Sequence, residues 1–262
     1  MRNALAGLLL SLLLLSVGCV RRGITSSAHE YRLGDTPIES VLYRARGSDL
    51  LLFNLHENES TSVEAAMHLI RRRGGRILVL RHSGEREIAF LLDGLSYHFD
   101  PNRVFTDPGA AAAVLPEGPG QARAVSVVRD FAREIVRNYS LDASSVIVTL
   151  HNNTEDGYSV KSYLPGGPYA LDARKVFVNL RRDPDDFFFV TDADLFSKLS
   201  QADFNVVLQN NRFVTDDGSL SVLAGRAGIP YVNVEAQQGH RKAQERMLGF
   251  LVGLLRQRNL GD

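Results

Sequence analysis

Four apolar stretches of this chain end in residues whose side chains can bind a metal ion or carry a proton. Residues 50–55 run into His56-Glu57-Asn58-Glu59, residues 146–150 into His151-Asn152-Asn153, residues 231–234 into Glu235, and Tyr97-His98-Phe99 into Asp100-Pro101-Asn102-Arg103. An imidazole and a carboxylate three residues apart at a turn can face one point, and this donor pair suits Zn²⁺. Glu57 is the competing carboxylate. Glu59 is preferred because the turn separates it properly from His56. A third imidazole from another strand end would complete a His₂Glu set with one position left for water. The single cysteine, Cys19, excludes an intramolecular disulfide and every cysteine-rich zinc ribbon or finger, so His, Asp and Glu are the only ligands left for a transition metal.

Such residues act together only if the fold brings the ends of their segments to one place. The apolar pattern predicts strands over 50–55, 76–80, 88–92, 95–99, 145–150, 175–180, 187–190, 205–208 and 231–234. It predicts helices over 61–73, 121–139, 192–199, 220–227 and 241–258. Asp93-Gly94 between two short apolar runs is a two-residue hairpin signal. Gly74-Gly75 stops the first helix, Asp192 and Asp194 mark the entry of another, and Arg71-Arg72-Arg73 in a last helical turn complements the helix dipole. Strands alternate with helices throughout. The expected fold is therefore α/β: a three-layer α/β/α sandwich around a mixed, largely parallel sheet, with ligands outside the carboxyl ends of its strands. No internal repeat or dividing linker is visible, so residues 49–262 read as a single catalytic domain, preceded by a tether and lead-in over 19–48.

Of the 262 residues, 44% are hydrophobic and 23% charged, ordinary for a globular chain able to bury a sizeable core. Thirty basic residues balance thirty acidic ones, which argues against a nucleic-acid binder working by bulk charge. Residues 1–18 read as a secretory signal: Arg2, then a charge-free leucine-rich run, then Ser16-Val17-Gly18 before Cys19. The run is short for a membrane span, which needs about 20 apolar residues. Gly18-Cys19 resembles the end of a bacterial lipoprotein signal, in which the cysteine is lipidated. Ser16 departs from the leucine usual there. The expectation is an exported lipoprotein tethered to a bacterial membrane through Cys19 and facing the periplasm or the cell exterior.

The fragments His56-Glu57-Asn58-Glu59, Asp100-Pro101-Asn102-Arg103-Val104-Phe105, Leu150-His151-Asn152 and Val234-Glu235 stand in that order over residues 50 to 240. Together they resemble the zinc metallocarboxypeptidases, including the succinylglutamate desuccinylase and aspartoacylase branch. The resemblance implies one Zn²⁺ per chain held by His56, Glu59 and His151, with Glu235 as general base and acid. It implies that Asn102 and Arg103 grip a substrate carboxylate. An apolar strand end would desolvate Glu235 and raise its pKa towards a useful range, and arginine offers the planar fork that suits bidentate carboxylate binding. A further arginine often polarises the scissile carbonyl in this family; Arg86 and Arg81 lie at suitable distance, and Arg86 is the choice. An assisting tyrosine is open among Tyr163, Tyr169 and Tyr231. Pro101 departs from the more usual leucine.

The expected activity is hydrolysis of an amide next to a carboxylate-bearing group, on peptides or peptidoglycan stem peptides. The alternatives are an N-acyl-amino-acid deacylase and a non-catalytic binding lipoprotein on the same fold. The remaining histidines have structural readings: His68 beside core positions of a helix, His82 in a turn, and His98 on a strand face. Gln237-Gln238-Gly239-His240 reads as a loop before the last helix, and the excess of 26 Arg over 4 Lys as genome composition.

Overall fold

The structure is a computed structural model and describes residues 23–141, 146–155 and 157–258. The segment read as an export signal, with Cys19, lies outside them. No helix among the described residues is long and apolar enough to cross a membrane.

Nine strands build one mixed sheet: β1 (Ile24–Leu33), β2 (Thr36–Ala45), β3 (Leu51–Asn54), β4 (Gly75–Arg81), β7 (Ile147–Asn153), β8 (Ala173–Phe177), β9 (Phe187–Val190), β10 (Asn205–Gln209) and β11 (Tyr231–Gln237), in the spatial order β1-β2-β4-β3-β7-β11-β9-β10-β8. The central strands β4, β3, β7 and β11 run parallel. Antiparallel pairs flank them at β2/β4 and β11/β9, and again at both edges, β1/β2 and β8/β10. Parallel strands buried on both faces read as continuous apolar runs, and residues 187–190, Phe-Phe-Phe-Val, are all buried.

Helices cover both faces. On one lie α1 (Ser60–Arg73), α4 (Ala193–Gln201) and α6 (Arg241–Arg258), which pack Leu69, Ile70, Leu195, Leu199, Leu248 and Leu251 against Leu52, Val148, Leu150, Val232 and Val234. On the other lie α2 (Asp107–Ala113), α3 (Gln121–Asn138) and α5 (Leu220–Ala227), with Ala110, Val128, Phe131, Ile135 and Leu220 packed over Phe53, Leu55, Phe187 and Phe189. This is the three-layer α/β/α sandwich expected from the pattern. Full burial of one such Leu, Ile, Val or Phe contributes about 1.5–3 kcal/mol. The two cores hold in place strand ends whose own polar groups are costly to bury.

The structure departs from the sequence reading at several elements. Residues 24–45, read as tether and lead-in, form the β1–β2 hairpin at the sheet edge, closed by a two-residue turn at Gly34-Asp35. Their apolar signal is thin because β1 buries little beyond Tyr31 and Leu33. The hairpin β5 (Ile88–Leu92) and β6 (Leu95–Phe99) turns at Asp93-Gly94, both at positive φ, as expected, but it is a separate two-stranded sheet rather than part of the main one. It docks on the β1–β2 turn, where Asp35 N–H donates to Leu91 O at 2.9 Å. Helix α2 went unread, although Thr106 caps it through Gly109 N–H and Asp107-Pro108 opens it. His68 lies in α1 between Met67, packed against the core, and Leu69, within it, and is itself half-exposed, 3.9 Å from Glu245.

Candidate metal centre

Strand β3 ends at Asn54, and the chain turns through His56 and Glu59 into α1, with Glu59 N–H donating to His56 O at 3.2 Å. Glu59 occupies the N-cap position of α1, yet its carboxylate caps nothing. Asn152 takes over that duty: its Oδ1 accepts from Ser62 N–H at 2.9 Å. A missing cap costs about 0.5–2 kcal/mol, so this substitution frees Glu59 at little expense to the helix. Ser62 Oγ donates to Glu59 O and accepts from Asn54 Nδ2, each at 2.8 Å, which fixes the turn.

The freed carboxylate meets two imidazoles. His56 Nδ1 lies 2.8 Å from Glu59 Oε1, His151 Nδ1 lies 3.0 Å from Glu59 Oε2, and the two Nδ1 atoms are 3.0 Å apart. All three residues are buried. The competing Glu57 points elsewhere, accepting the backbone N–H groups of His82, Ser83 and Gly84. Behind His56, Asp100 Oδ1 accepts from Nε2 at 2.8 Å. With the proton on Nε2, the Nδ1 lone pair faces Glu59, an arrangement by which outer carboxylates orient metal-bound histidines.

Two buried lone-pair donors and a carboxylate converging on one point fit a divalent cation with nitrogen and oxygen ligands, Zn²⁺ above all. The electrostatics agree. Burial works against charge on His56, but Glu59 and Asp100 outweigh it and hold its pKa up at about 9. Burial likewise opposes ionisation of Glu59, and the two imidazoles reverse that, holding it down at about 2. Glu59 and Asp100 thus draw positive charge to His56, whereas burial, with the charges of His56 and Arg86, holds the pKa of His151 below its ordinary value.

Strand β11 supplies the fourth group. The parallel register sets Glu235 directly beside His151, and both strands run further than the sequence reading had them, so these residues sit within strands rather than just past them. Gln244 of α6, fully buried, ties the two strands together: its Nε2 donates to His151 O at 3.0 Å and Val234 O at 3.1 Å. Glu235 is buried, and Asn233 Nδ2 donates to its Oε2 at 2.9 Å. Burial first, then the charge of Glu59, pushes its carboxyl up to about 8. Such a group accepts and returns a proton near neutral pH.

Arg86 joins the cluster: Nη1 donates to Glu59 Oε1 at 2.9 Å and Nη2 to Asp100 Oδ2 at 3.1 Å. It ties the metal-facing carboxylate to the one that orients His56. Asn102 and Arg103 follow on a short 3₁₀ turn capped by Asp100, with Pro101 at its start. Asn102 Oδ1 accepts from Leu220 N–H at 3.2 Å, so part of this side chain is structural. Arg103 is partly exposed and paired with Asp217.

Of the candidate tyrosines, Tyr231 is buried and hydrogen-bonded to Thr149 Oγ1 at 2.6 Å, and Tyr163 is buried and bonded to Tyr158. Tyr169 is exposed, its ring packed on both Tyr158 and Tyr163. Sequence reasoning missed Asp100 as the partner of His56, although Asp100 stood in a fragment already singled out. It also missed Asp217, whose only local signal is the turn Asp216-Asp217-Gly218.

No protein-family model and no curated protein matches this chain. Among solved structures, it is similar to an aspartoacylase family protein from Mesorhizobium loti, at 15% identity over 86% of this chain, with a TM-score of 0.39. The chain spans 64% of the length of that protein. It is also similar to murein-tripeptide amidase MpaA from Escherichia coli O157, at 15% identity over 87% of this chain and 91% of the other, with a TM-score of 0.41.

Proposed function

We propose that this chain is a zinc-dependent amidohydrolase that cleaves an amide next to a carboxylate-bearing group. The observation that carries this reading is the buried convergence of His56 Nδ1, His151 Nδ1 and the Glu59 carboxylate, with Glu235 in register beside His151. His56, Glu59 and His151 would hold Zn²⁺, which when bound lowers the pKa of a water molecule towards about 7 and polarises a carbonyl oxygen. Glu235 takes the proton from the attacking water on its carboxylate and passes it to the nitrogen of the departing amine. Asp100 keeps the His56 lone pair aimed at the centre, and Arg86 balances the charge of Glu59 and Asp100. Arg103 offers its guanidinium to the carboxylate of the substrate.

The substrates that suit this chemistry are peptides, peptidoglycan stem peptides and N-acyl-amino acids with a free carboxylate. A panel of the three classes, run with Glu235→Gln as control, tests the reading. Zinc-dependent release of an amine from one class, lost in the variant, supports it. Binding of these compounds without turnover of any contradicts it and favours a binding protein on the same fold. We further propose that residues 1–18 direct export and that Cys19 is lipidated, which places the enzyme at a bacterial membrane with the periplasm or the cell exterior before it. Incorporation of labelled fatty acid, abolished by Cys19→Ala, tests this separately.

A further inference from the structure

Asp217 is fixed beside the cation that the proposed site offers to a substrate carboxylate. Arg103 Nη1 donates to Asp217 Oδ2, and the two side chains are 39% and 41% exposed. Arg103 Nε and Nη2 donate to no group among the described residues, so one edge of the guanidinium remains for a second carboxylate.

Asp217 is not free to swing aside. Its Oδ1 accepts from Ser219 N–H at 2.9 Å. On one side of it, Asp216 accepts from Thr106 Oγ1 and Arg226 Nη1, each at 2.6 Å. On the other, Gly218 O accepts from Phe105 N–H at 2.8 Å. Gly218 has φ +77°, and its Cα approaches Gly109 so closely that a Cβ on Gly109 would lie 2.1 Å from it. The turn is thus clamped to residues 103–109, and Asp217 moves only if that clamp opens.

Arg103 ends the short 3₁₀ turn that Asp100 caps, and Asp100 is the partner of His56, so one turn joins the pair to the proposed metal centre. A plain carboxylate on the open edge of Arg103 therefore lies one guanidinium width from a fixed negative charge, and the two repel. A carboxylate accompanied by a cationic group gives Asp217 a second partner and turns that repulsion into attraction.

We infer that Asp217 is a specificity-determining residue, which makes the Arg103 subsite select a carboxylate whose own molecule carries a nearby ammonium or guanidinium group. This rests on the reading of Arg103 as the anchor of the substrate carboxylate. The test uses the zinc-loaded full chain and calorimetric titration with two probes, Nα-acetyl-lysine and the uncharged, similarly shaped Nα-acetyl-norleucine, each as both enantiomers. The lysine derivative is expected to bind about tenfold more tightly. Asp217→Asn, which keeps the acceptor for Ser219 N–H, should erase that preference, chiefly through tighter binding of the norleucine derivative. In the wild type the preference should shrink as salt is raised. Equal binding of both probes by the wild type, or an equal loss for both in Asp217→Asn, overturns the inference and leaves Asp217 a support for Arg103. Binding of neither probe, or binding indifferent to Arg103→Ala, removes the anchor itself and the inference with it.

Discussion

Asp100 accepts a hydrogen bond from His56 Nε2 at 2.8 Å and so decides which nitrogen of that ring faces Glu59 and His151. The carboxylate is itself held, by Asn102 N–H at 2.8 Å and Arg86 Nη2 at 3.1 Å. Outer-carboxylate contacts of this kind are worth about 10–100-fold in metal affinity. Asp100→Asn should weaken zinc binding by about that factor, read by competition with a chromogenic chelator. An unchanged affinity would separate Asp100 from the metal centre.

Glu235 stands in register with His151 but, among the described residues, hydrogen-bonds to no ligand atom, and its side chain accepts from Asn233. Glu235→Gln keeps the shape and the His56-Glu59-His151 set. Zinc content should therefore be retained while turnover falls by about 10²–10⁴-fold, the usual contribution of a positioned acid or base. Loss of the metal together with activity would assign Glu235 to holding the site instead.

The raised pKa of Glu235 has a consequence for the metal-free protein. Its carboxyl titrates at about 8 in the fold against 4.5 ordinarily, because burial and the charge of Glu59 favour the neutral form. Below pH 4.5 both states carry the proton, and the contribution of this group to stability is fully present. As pH rises towards 8 the unfolded chain releases the proton while the folded chain keeps it, so that stability is lost across this window and changes no further above it. Glu235→Gln lacks this slope. Urea unfolding in the presence of a chelator should show the variant gaining on the wild type between pH 4.5 and 8, and a constant difference over that range contradicts the assignment.

Gly109 and Gly218 meet backbone to backbone, and a Cβ on Gly109 would also lie 3.0 Å from Arg103 O. Gly109→Ala must push the Asp216–Ser219 turn away from residues 103–109. Overpacking of this kind costs about 1–3 kcal/mol, which lowers Tm by roughly 2–12 °C in a domain of this size. Calorimetric melting measures it, and an unchanged Tm would show that the clamp gives way freely.

The layered α/β fold was legible because the buried strands and amphipathic helices write their periods into the sequence: Phe187–Val190 and Leu220–Ala227 stand where the pattern puts them. The β1–β2 hairpin was not, because an edge pair with one solvated face needs few apolar residues. At the site, His56, His151 and Glu235 could be singled out since each closes or extends an apolar strand, and Glu59 by its three-residue spacing from His56 at the turn that follows. Asp217 could not. Its meaning lies in a contact with Arg103 across 114 positions of chain, created by a glycine-to-glycine approach that no local pattern encodes. Asp100 lies between the two cases: its place in Asp100-Pro101-Asn102-Arg103 was visible, but its bond to His56 depends on how the β5–β6 hairpin docks.

Metal content of the purified, zinc-equilibrated chain, measured beside His56→Ala, decides whether His56, Glu59 and His151 hold zinc. A site at these residues gives about one zinc per wild-type chain and its loss in the variant, with both proteins folded. A folded wild type that takes up no zinc when offered it, or a variant that keeps the full complement, rules that site out.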